Sequence, residues 1–190
     1  MGRVMEMDDK KQLPERKRNR LQHYDYSSCG VYFITICTKD RKNIFWDMKQ
    51  PNIVGEAISL PPSPKLSAYG QIAEDAIQAI PKHYLCVEVD RYVIMPNHIH
   101  LILLIPYDGG RLIASPTDDT KPTISTIVGQ MKRYVSKEIG MSVWQRSFHD
   151  HIIRDRQDYE EISKYIYENP ARWREDCFYA EEQNGNLPQK

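Results

Sequence analysis

Pro96-Asn97-His98-Ile99-His100 lies between two apolar runs, Tyr92-Val93-Ile94-Met95 and Leu101-Ile102-Leu103-Leu104-Ile105. Pro96-Asn97 is turn chemistry, so the runs read as two strands of a β-hairpin with the histidines near its bend. Side chains alternate along a strand, which points His98 and His100 to the same face. Two imidazoles converging inside an aliphatic strand are costly unless they bind something, and a divalent metal suits such a pair. Both faces of the second run are apolar, as in a central strand covered on both sides.

Outward from the hairpin, Tyr84-Leu85-Cys86-Val87-Glu88-Val89 extends the first run into one long predicted strand. Val31-Tyr32-Phe33-Ile34-Thr35-Ile36-Cys37 is rich in β-branched and aromatic residues and predicts another. Ile44-Phe45-Trp46, after a charged turn, suggests a short additional strand. Pro61, Pro62 and Pro64 exclude regular structure around them. Residues 67–80 place Ile72, Ala76, Ile77 and Ile80 at helical spacing, which Pro81 is expected to end. Residues 107–122 form a polar loop. Residues 123–139 predict a helix whose stripe is Ile124, Ile127, Val128, Met131, Tyr134 and Val135, stopped by Gly140. Ser142 to Ile153 suggests a short strand plus turn. Asp158 with Glu161 resembles a capping box opening a last helix, striped by Tyr159, Ile162 and Ile166 and ended by Asn169-Pro170.

The 190-residue length suits one domain, and burial at that size makes disulfides unnecessary. Residues 1–20 read as a basic, flexible arm, 21–173 as the single catalytic-type domain, and 174–190 as a polar, loose tail. The 26 basic and 26 acidic residues cancel, so any polyanion binding must come from local patches. The four cysteines form no C-x-x-C pair and read as free thiols of a reducing compartment. The N-terminus is polar and charged, unlike a secretory leader, and no apolar run reaches the ~18 residues of a membrane span. A cytoplasmic protein with no membrane partner is expected.

Of the six histidines, His23 and His83 stand alone. His149-Asp150-His151 is a second His-x-His without apolar runs on both sides, suited to packing and hydrogen bonding beneath a site as much as to ligation. Tyr165 and Asn169 are four apart on the last helix and face the same way. A phenol and an amide carbonyl on one helical face, brought to the His98–His100 strand, would offer a nucleophile and a third metal ligand. Composition alone leaves Tyr165 as one more interfacial tyrosine. Tyr167 lies roughly 200° around the helix from it.

The segment Pro96-Asn97-His98-Ile99-His100-Leu101-Ile102 resembles the HUH motif of single-tyrosine transposases, in which two histidines flank one hydrophobic residue. Four ordered blocks resemble one branch of these, the REP-associated tyrosine transposases. They are Arg20-Leu21-Gln22-His23-Tyr24-Asp25-Tyr26, Tyr32-Phe33-Ile34-Thr35, Trp144-Gln145-Arg146-Ser147-Phe148-His149-Asp150-His151-Ile152-Ile153-Arg154, and Tyr165-Ile166-Tyr167-Glu168-Asn169-Pro170. The resemblance implies an α+β, ferredoxin-like fold: an antiparallel β-sheet bearing the His pair, with helices packed mainly on one face. It also implies cleavage and rejoining of single-stranded DNA at hairpins of repeated extragenic palindromes. Residue by residue, it puts the nucleophile on Tyr165, with Tyr167 as fallback, and Mg2+ or Mn2+ on His98, His100 and Asn169. His149 and His151 would then lie behind the site.

The implied product is a 5′-phosphotyrosine link. Phosphate contacts are expected from Arg16, Lys17, Arg18 and Arg20 of the arm, Lys132, Arg133 and Lys137 of one helix, and Arg154 and Arg156. The partner would be single-stranded or hairpin DNA, and the protein a monomer or homodimer. Two other readings fit part of the pattern. One is a domesticated hairpin-binding protein that no longer cuts. The other is a metallohydrolase built on His98, His100, His149 and His151, although acidic residues are missing beside His100.

Overall fold

The computed structural model describes residues 25, 28–47, 65–106 and 122–179. Its centre is the strand β3 (His98–Ile105), hydrogen-bonded on one side to β2 (Glu88–Ile94) and on the other to β1 (Gly30–Cys37). A fourth strand, β4 (His149–Ile153), pairs with the far side of β1. All neighbours are antiparallel, in the order β2-β3-β1-β4. The helix α1 (Ala68–Gln78) and the single turn α2 (Ile80–His83) lead from β1 to β2, and α3 (Ile124–Ile139) leads from β3 to β4. This split βαβ arrangement is the ferredoxin-like α+β fold. A further helix, α4 (Arg156–Glu168), follows β4.

The alternation of β3 decides which layer lies where. Ile99, Leu101, Leu103 and Ile105 join Tyr32, Ile34 and Ile36 of β1 in the larger core. Ala73, Ala76 and Ile77 of α1 and Ile124, Ile127, Val128, Met131 and Val135 of α3 cover that face. Each fully buried aliphatic side chain contributes roughly 1.5–3 kcal/mol, so this layer carries most of the stability. On the opposite face Ile102, Ile153 and Ile166 of α4 form a smaller cluster, joined by Val31, Phe33, Val93, Tyr159 and Ile162. His98 and His100 share the parity of Ile102, so they belong to the α4 side. Two of the three longer helices thus cover one face, and the third meets the histidines.

Local chemistry sets the helix ends. The Ser67 hydroxyl accepts from the Gly70 N–H at the start of α1, and Thr123 caps α3 through the Thr126 N–H. Gly140 ends α3 at φ +80°, where a side chain would be strained. α4 starts three residues before the predicted box: Asp155 is the cap, accepting from the Asp158 N–H at 2.9 Å. Pro81 does not end the helical path. It sits in the first turn of α2, where its missing N–H leaves no bond unmade.

Three other expectations are corrected. Ile44-Phe45-Trp46 is not a strand: the Ile44 and Phe45 N–H groups both donate to the Pro96 carbonyl, leaving only an isolated bridge from Trp46 to Leu66. Residues 84–87 turn instead of extending β2, and Leu85 is 81% exposed. Tyr134 stands off the α3 stripe at 49% exposure, and Ile139 packs on the core instead. The basic arm, most of the 107–122 loop and residues 180–190 lie outside the described residues. No described helix is long and apolar enough to cross a membrane.

Gly70 is fixed by close approach. A Cβ there would overlap the Phe45 carbonyl oxygen, which already accepts from the Ser67 N–H at 2.8 Å. Alanine normally favours a helix over glycine by about 1 kcal/mol. Here overpacking prevails, and Gly70→Ala is expected to lower the unfolding free energy by about 1–3 kcal/mol in urea titrations. An unchanged or raised midpoint would contradict the packing described.

Candidate active site

His98 and His100 are almost completely buried, and both are neutral at physiological pH. Burial pulls the His98 imidazole down to about 3, helped by the nearby Arg41 charge. Burial also takes His100 to about 3, aided by His98 and opposed by Asp176. Neutral imidazoles are the metal-binding form.

Each ring is held by its Nδ1. The His98 Nδ1 meets the Asn97 Oδ1 at 2.9 Å, and since the amide oxygen can only accept, this bond puts the proton on Nδ1. The His100 Nδ1 meets the Thr35 hydroxyl at 2.8 Å across the β1–β3 pair. The Asn97 bond thereby leaves the His98 Nε2 as an electron-pair donor, the arrangement that outer hydrogen bonds impose on metal-binding histidines, while the Thr35 hydroxyl fixes the orientation of the His100 ring. Asn97 is itself clamped, donating through Nδ2 to the Phe178 carbonyl at 2.9 Å and the Arg41 carbonyl at 3.3 Å. Arg41 and Asp40 hold left-handed φ values of 53° and 57°, a strain of about 1–3 kcal/mol each for such residues, so the turn beside the site is tightly determined.

α4 brings in Tyr165. Its hydroxyl lies 3.2 Å from the His100 Nε2 and 3.2 Å from the Asp176 Oδ2. The ring stands edge-on to Phe33, which stacks on His100. Burial and the Asp176 charge both push the Tyr165 hydroxyl above its ordinary range, while the Asn169 amide beside it works the other way. Asn169 is 3% exposed, and its Nδ2 has no hydrogen-bond partner. Tyr167 faces outward at 52% exposure, as the helical phase requires.

Asp176 is the residue that sequence reasoning missed, because residues 174–190 read as a loose tail. After the 3-10 turn Trp173–Glu175, the chain crosses the histidines. Trp173 and Phe178 pack on His98, with ring centroids 5.9 and 4.6 Å away. The Asp176 Oδ2 stands 4.0 Å from the His98 Nε2, too far for a hydrogen bond. That Nε2 is buried without a partner, a cost of about 1–3 kcal/mol that a ligand would remove. Among the described residues, His98, His100 and Asp176 are the group whose ligand atoms gather within 4.8 Å. The residues present therefore fit a divalent cation. Thr35 and Asn97 were also overlooked, though a polar residue inside Val31–Cys37 and an amide beside the first histidine were visible signals.

The other sequence-predicted residues lie apart from this centre. His149 sits on β4 across β1 from the pair, opposite Thr35, with its side chain exposed. His151 binds Asp158 at 2.7 Å instead of joining His98 and His100, so the four-histidine arrangement does not form. The Lys132 ammonium donates to the carbonyls of Gln145 and Ser147 and braces the chain after α3. Arg133 and Lys137 are exposed on α3, which packs on the face of the sheet opposite the histidines. Arg156 pairs with Glu160 at 2.6 Å, and Arg154 is exposed after β4. Arg16, Lys17, Arg18 and Arg20 lie outside the described residues.

This combination of a ferredoxin-like sheet, a buried His-x-His and a helix-borne tyrosine defines the single-tyrosine HUH class. No family model matches the chain. It is 34% identical over 184 residues to an uncharacterised protein of Haemophilus influenzae, covering 89% of this chain and 96% of that one. A second protein of the same organism, provisionally named a REP-associated tyrosine transposase, is 28% identical over 159 residues, or 78% of this chain and 74% of its own. A REP-associated tyrosine transposase solved bound to a REP hairpin shares the fold, with a TM-score of 0.52 and 21% identity over 85% of this chain and 74% of that one. The named relatives and the shared fold support assigning the chain to the REP-associated tyrosine transposase family.

The histidine environment has a consequence for acid stability. His98 and His100 titrate near 3 in the fold, against 6.5 when unfolded. Below about pH 6.5 the unfolded chain binds protons that the fold refuses, so stability is full above that value and falls as pH drops toward 3. Urea unfolding at pH 7 and pH 4.5 is expected to show a smaller loss for the double variant His98→Gln, His100→Gln than for wild type. Equal losses would contradict the buried, neutral assignment.

Proposed function

We propose that the protein cleaves and rejoins single-stranded DNA at hairpins, with Tyr165 as the nucleophile and a divalent cation, Mg2+ or Mn2+, on His98 and His100. The observation that supports this most directly is the Tyr165 hydroxyl 3.2 Å from the His100 Nε2, on the face where the two imidazoles converge. The family relationship supports the same reading, as does a hairpin bound by a structural neighbour.

The bound cation would polarise the scissile phosphate and offset the charge that grows on it. The protein supplies the rest. Tyr165 oxygen forms a bond to phosphorus while the bond from phosphorus to the 3′ oxygen breaks, leaving a 5′-phosphotyrosine and a free 3′-hydroxyl. The link keeps the phosphodiester bond energy, so a second hydroxyl can reseal the strand without ATP. Without the ion the phenol donates to Asp176 Oδ2 and lies 3.2 Å from the His100 Nε2, and burial with the Asp176 charge keeps the resting nucleophile protonated. Asn169, one turn along α4, sits beside that hydroxyl and is the third ligand that the sequence pattern suggests.

An open cleft of about 500 Å3 beside α4 is lined by Lys164, Tyr165, Asn169, Arg172 and Asp176 among others, and gives a strand access to the nucleophile. Arg154, just after β4, and Arg156, which opens α4, fit phosphate contacts near this side. Arg133 and Lys137 would instead touch a part of a hairpin that wraps around the sheet. The arm residues Arg16, Lys17, Arg18 and Arg20 remain proposed phosphate contacts.

Incubation of a labelled hairpin single strand with protein and Mn2+ is expected to give a denaturant-resistant protein–DNA adduct. Tyr165→Phe should reduce it by at least ~10³-fold, whereas Tyr167→Phe should retain it. An undiminished adduct from Tyr165→Phe would overturn the assignment, and stable binding with no adduct in any metal would favour a protein that grips hairpins without cutting.

A further inference from the structure

We infer that Asp176, and not Asn169, is the anionic third ligand of the cation held by His98 and His100. The inference deepens the proposed function and rests on its reading of the histidine pair as a metal site.

Geometry points first to the carboxylate. Two ligands each about 2.1 Å from one small cation lie at most about 4.2 Å apart. The His98 Nε2 and Asp176 Oδ2 are 4.0 Å apart with no hydrogen bond between them, and the Asp176 side chain is only 2% exposed. The His98 Nε2 is an unpartnered, fully buried lone pair facing this gap. A cation between the two would satisfy both.

The carboxylate is also held in place. Asp176 Oδ1 accepts from the Phe178 N–H at 2.6 Å, which leaves Oδ2 turned toward the histidines. Phe178 is tied back through its carbonyl to Asn97, the residue that orients His98. Trp173, 8% exposed, anchors the other end of the segment against His98 and Trp46. The ligand and the imidazole it would face are therefore positioned by one hydrogen-bonded unit.

Charge favours the same choice. Two neutral imidazoles and a neutral amide would leave a buried cation with its full double charge, whereas a carboxylate halves it. Two imidazoles and one carboxylate are also a donor set suited to a transition-series ion with open positions, which favours Mn2+ over Mg2+. Tyr165 then has a defined place in the ion-free protein. Its hydroxyl donates to Asp176 Oδ2 and lies 3.2 Å from the His100 Nε2, the two atoms that the ion would claim.

Mn2+ binding to the full-length protein without DNA, measured by calorimetry and by the loss of the free-ion paramagnetic resonance signal, separates the possibilities. Asp176→Asn keeps an acceptor for the Phe178 N–H, so its fold should persist, as circular dichroism would check. It is expected to weaken Mn2+ binding at least about tenfold, with Asp176→Glu recovering part of the loss and Asn169→Ala staying within about threefold of wild type. Tyr165→Phe should bind Mn2+ as tightly as wild type or more so. Wild-type affinity in Asp176→Asn, or a tenfold loss in Asn169→Ala, would overturn the inference. His98→Ala is the separate control: wild-type affinity there would overturn the metal reading of the histidine pair itself.

Discussion

The structure depends on the two-residue alternation of β3. Its odd-numbered residues drive four aliphatic side chains into the layer under α1 and α3, and this burial fixes the register of the central strand. A slip by one residue would bury the imidazoles in the large core and turn the aliphatic set toward α4. The energy that holds the fold together therefore also aims His98 and His100. Function is placed on the thinner layer, where α4 and the chain after it can be shaped around the pair without disturbing the main core.

A strand can aim two imidazoles, but it does not choose which nitrogen presents its lone pair. For His98 that choice falls to Asn97, while Thr35 holds the His100 ring by its Nδ1. The protein bears the cost of two neutral, buried histidines, and their low proton affinity is the sign of it. Such a cost fits a site built for a ligand, and the His98 Nε2 is left without a partner. Tyr165, the proposed nucleophile, comes to the pair from a different element, and the segment around Asp176 packs on His98 through Trp173 and Phe178.

Much of this was legible in the sequence because it is local. The β-branched run of β1, the apolar stripe and Gly140 of α3, and the polar turn between two apolar runs before β3 announce themselves within short windows. The same-face relation of Tyr165 and Asn169 follows from helical spacing alone. The misreadings share one cause, that distant chain decides a local question. Ile44-Phe45-Trp46 has the composition of a strand, yet its N–H groups are claimed by Pro96. Pro81 looks like a stop until a second turn begins around it. Asp176 has no periodic neighbourhood to mark it, and its role appears only when the chain returns across His98. Lys132 was grouped with phosphate-binding cations, but its ammonium is occupied by two carbonyls that only the turn after α3 brings near.

His98, His100 and the Asp176 carboxylate are proposed to meet a cation at one point beside the Tyr165 hydroxyl. Anomalous diffraction at the manganese edge, from crystals of the full chain soaked in Mn2+, locates that point directly. The account predicts one strong peak at coordination distance from both Nε2 atoms and from Asp176, within about 4 Å of the Tyr165 oxygen. A peak at His149 and His151 instead, or none at the His98–His100 pair, would contradict it.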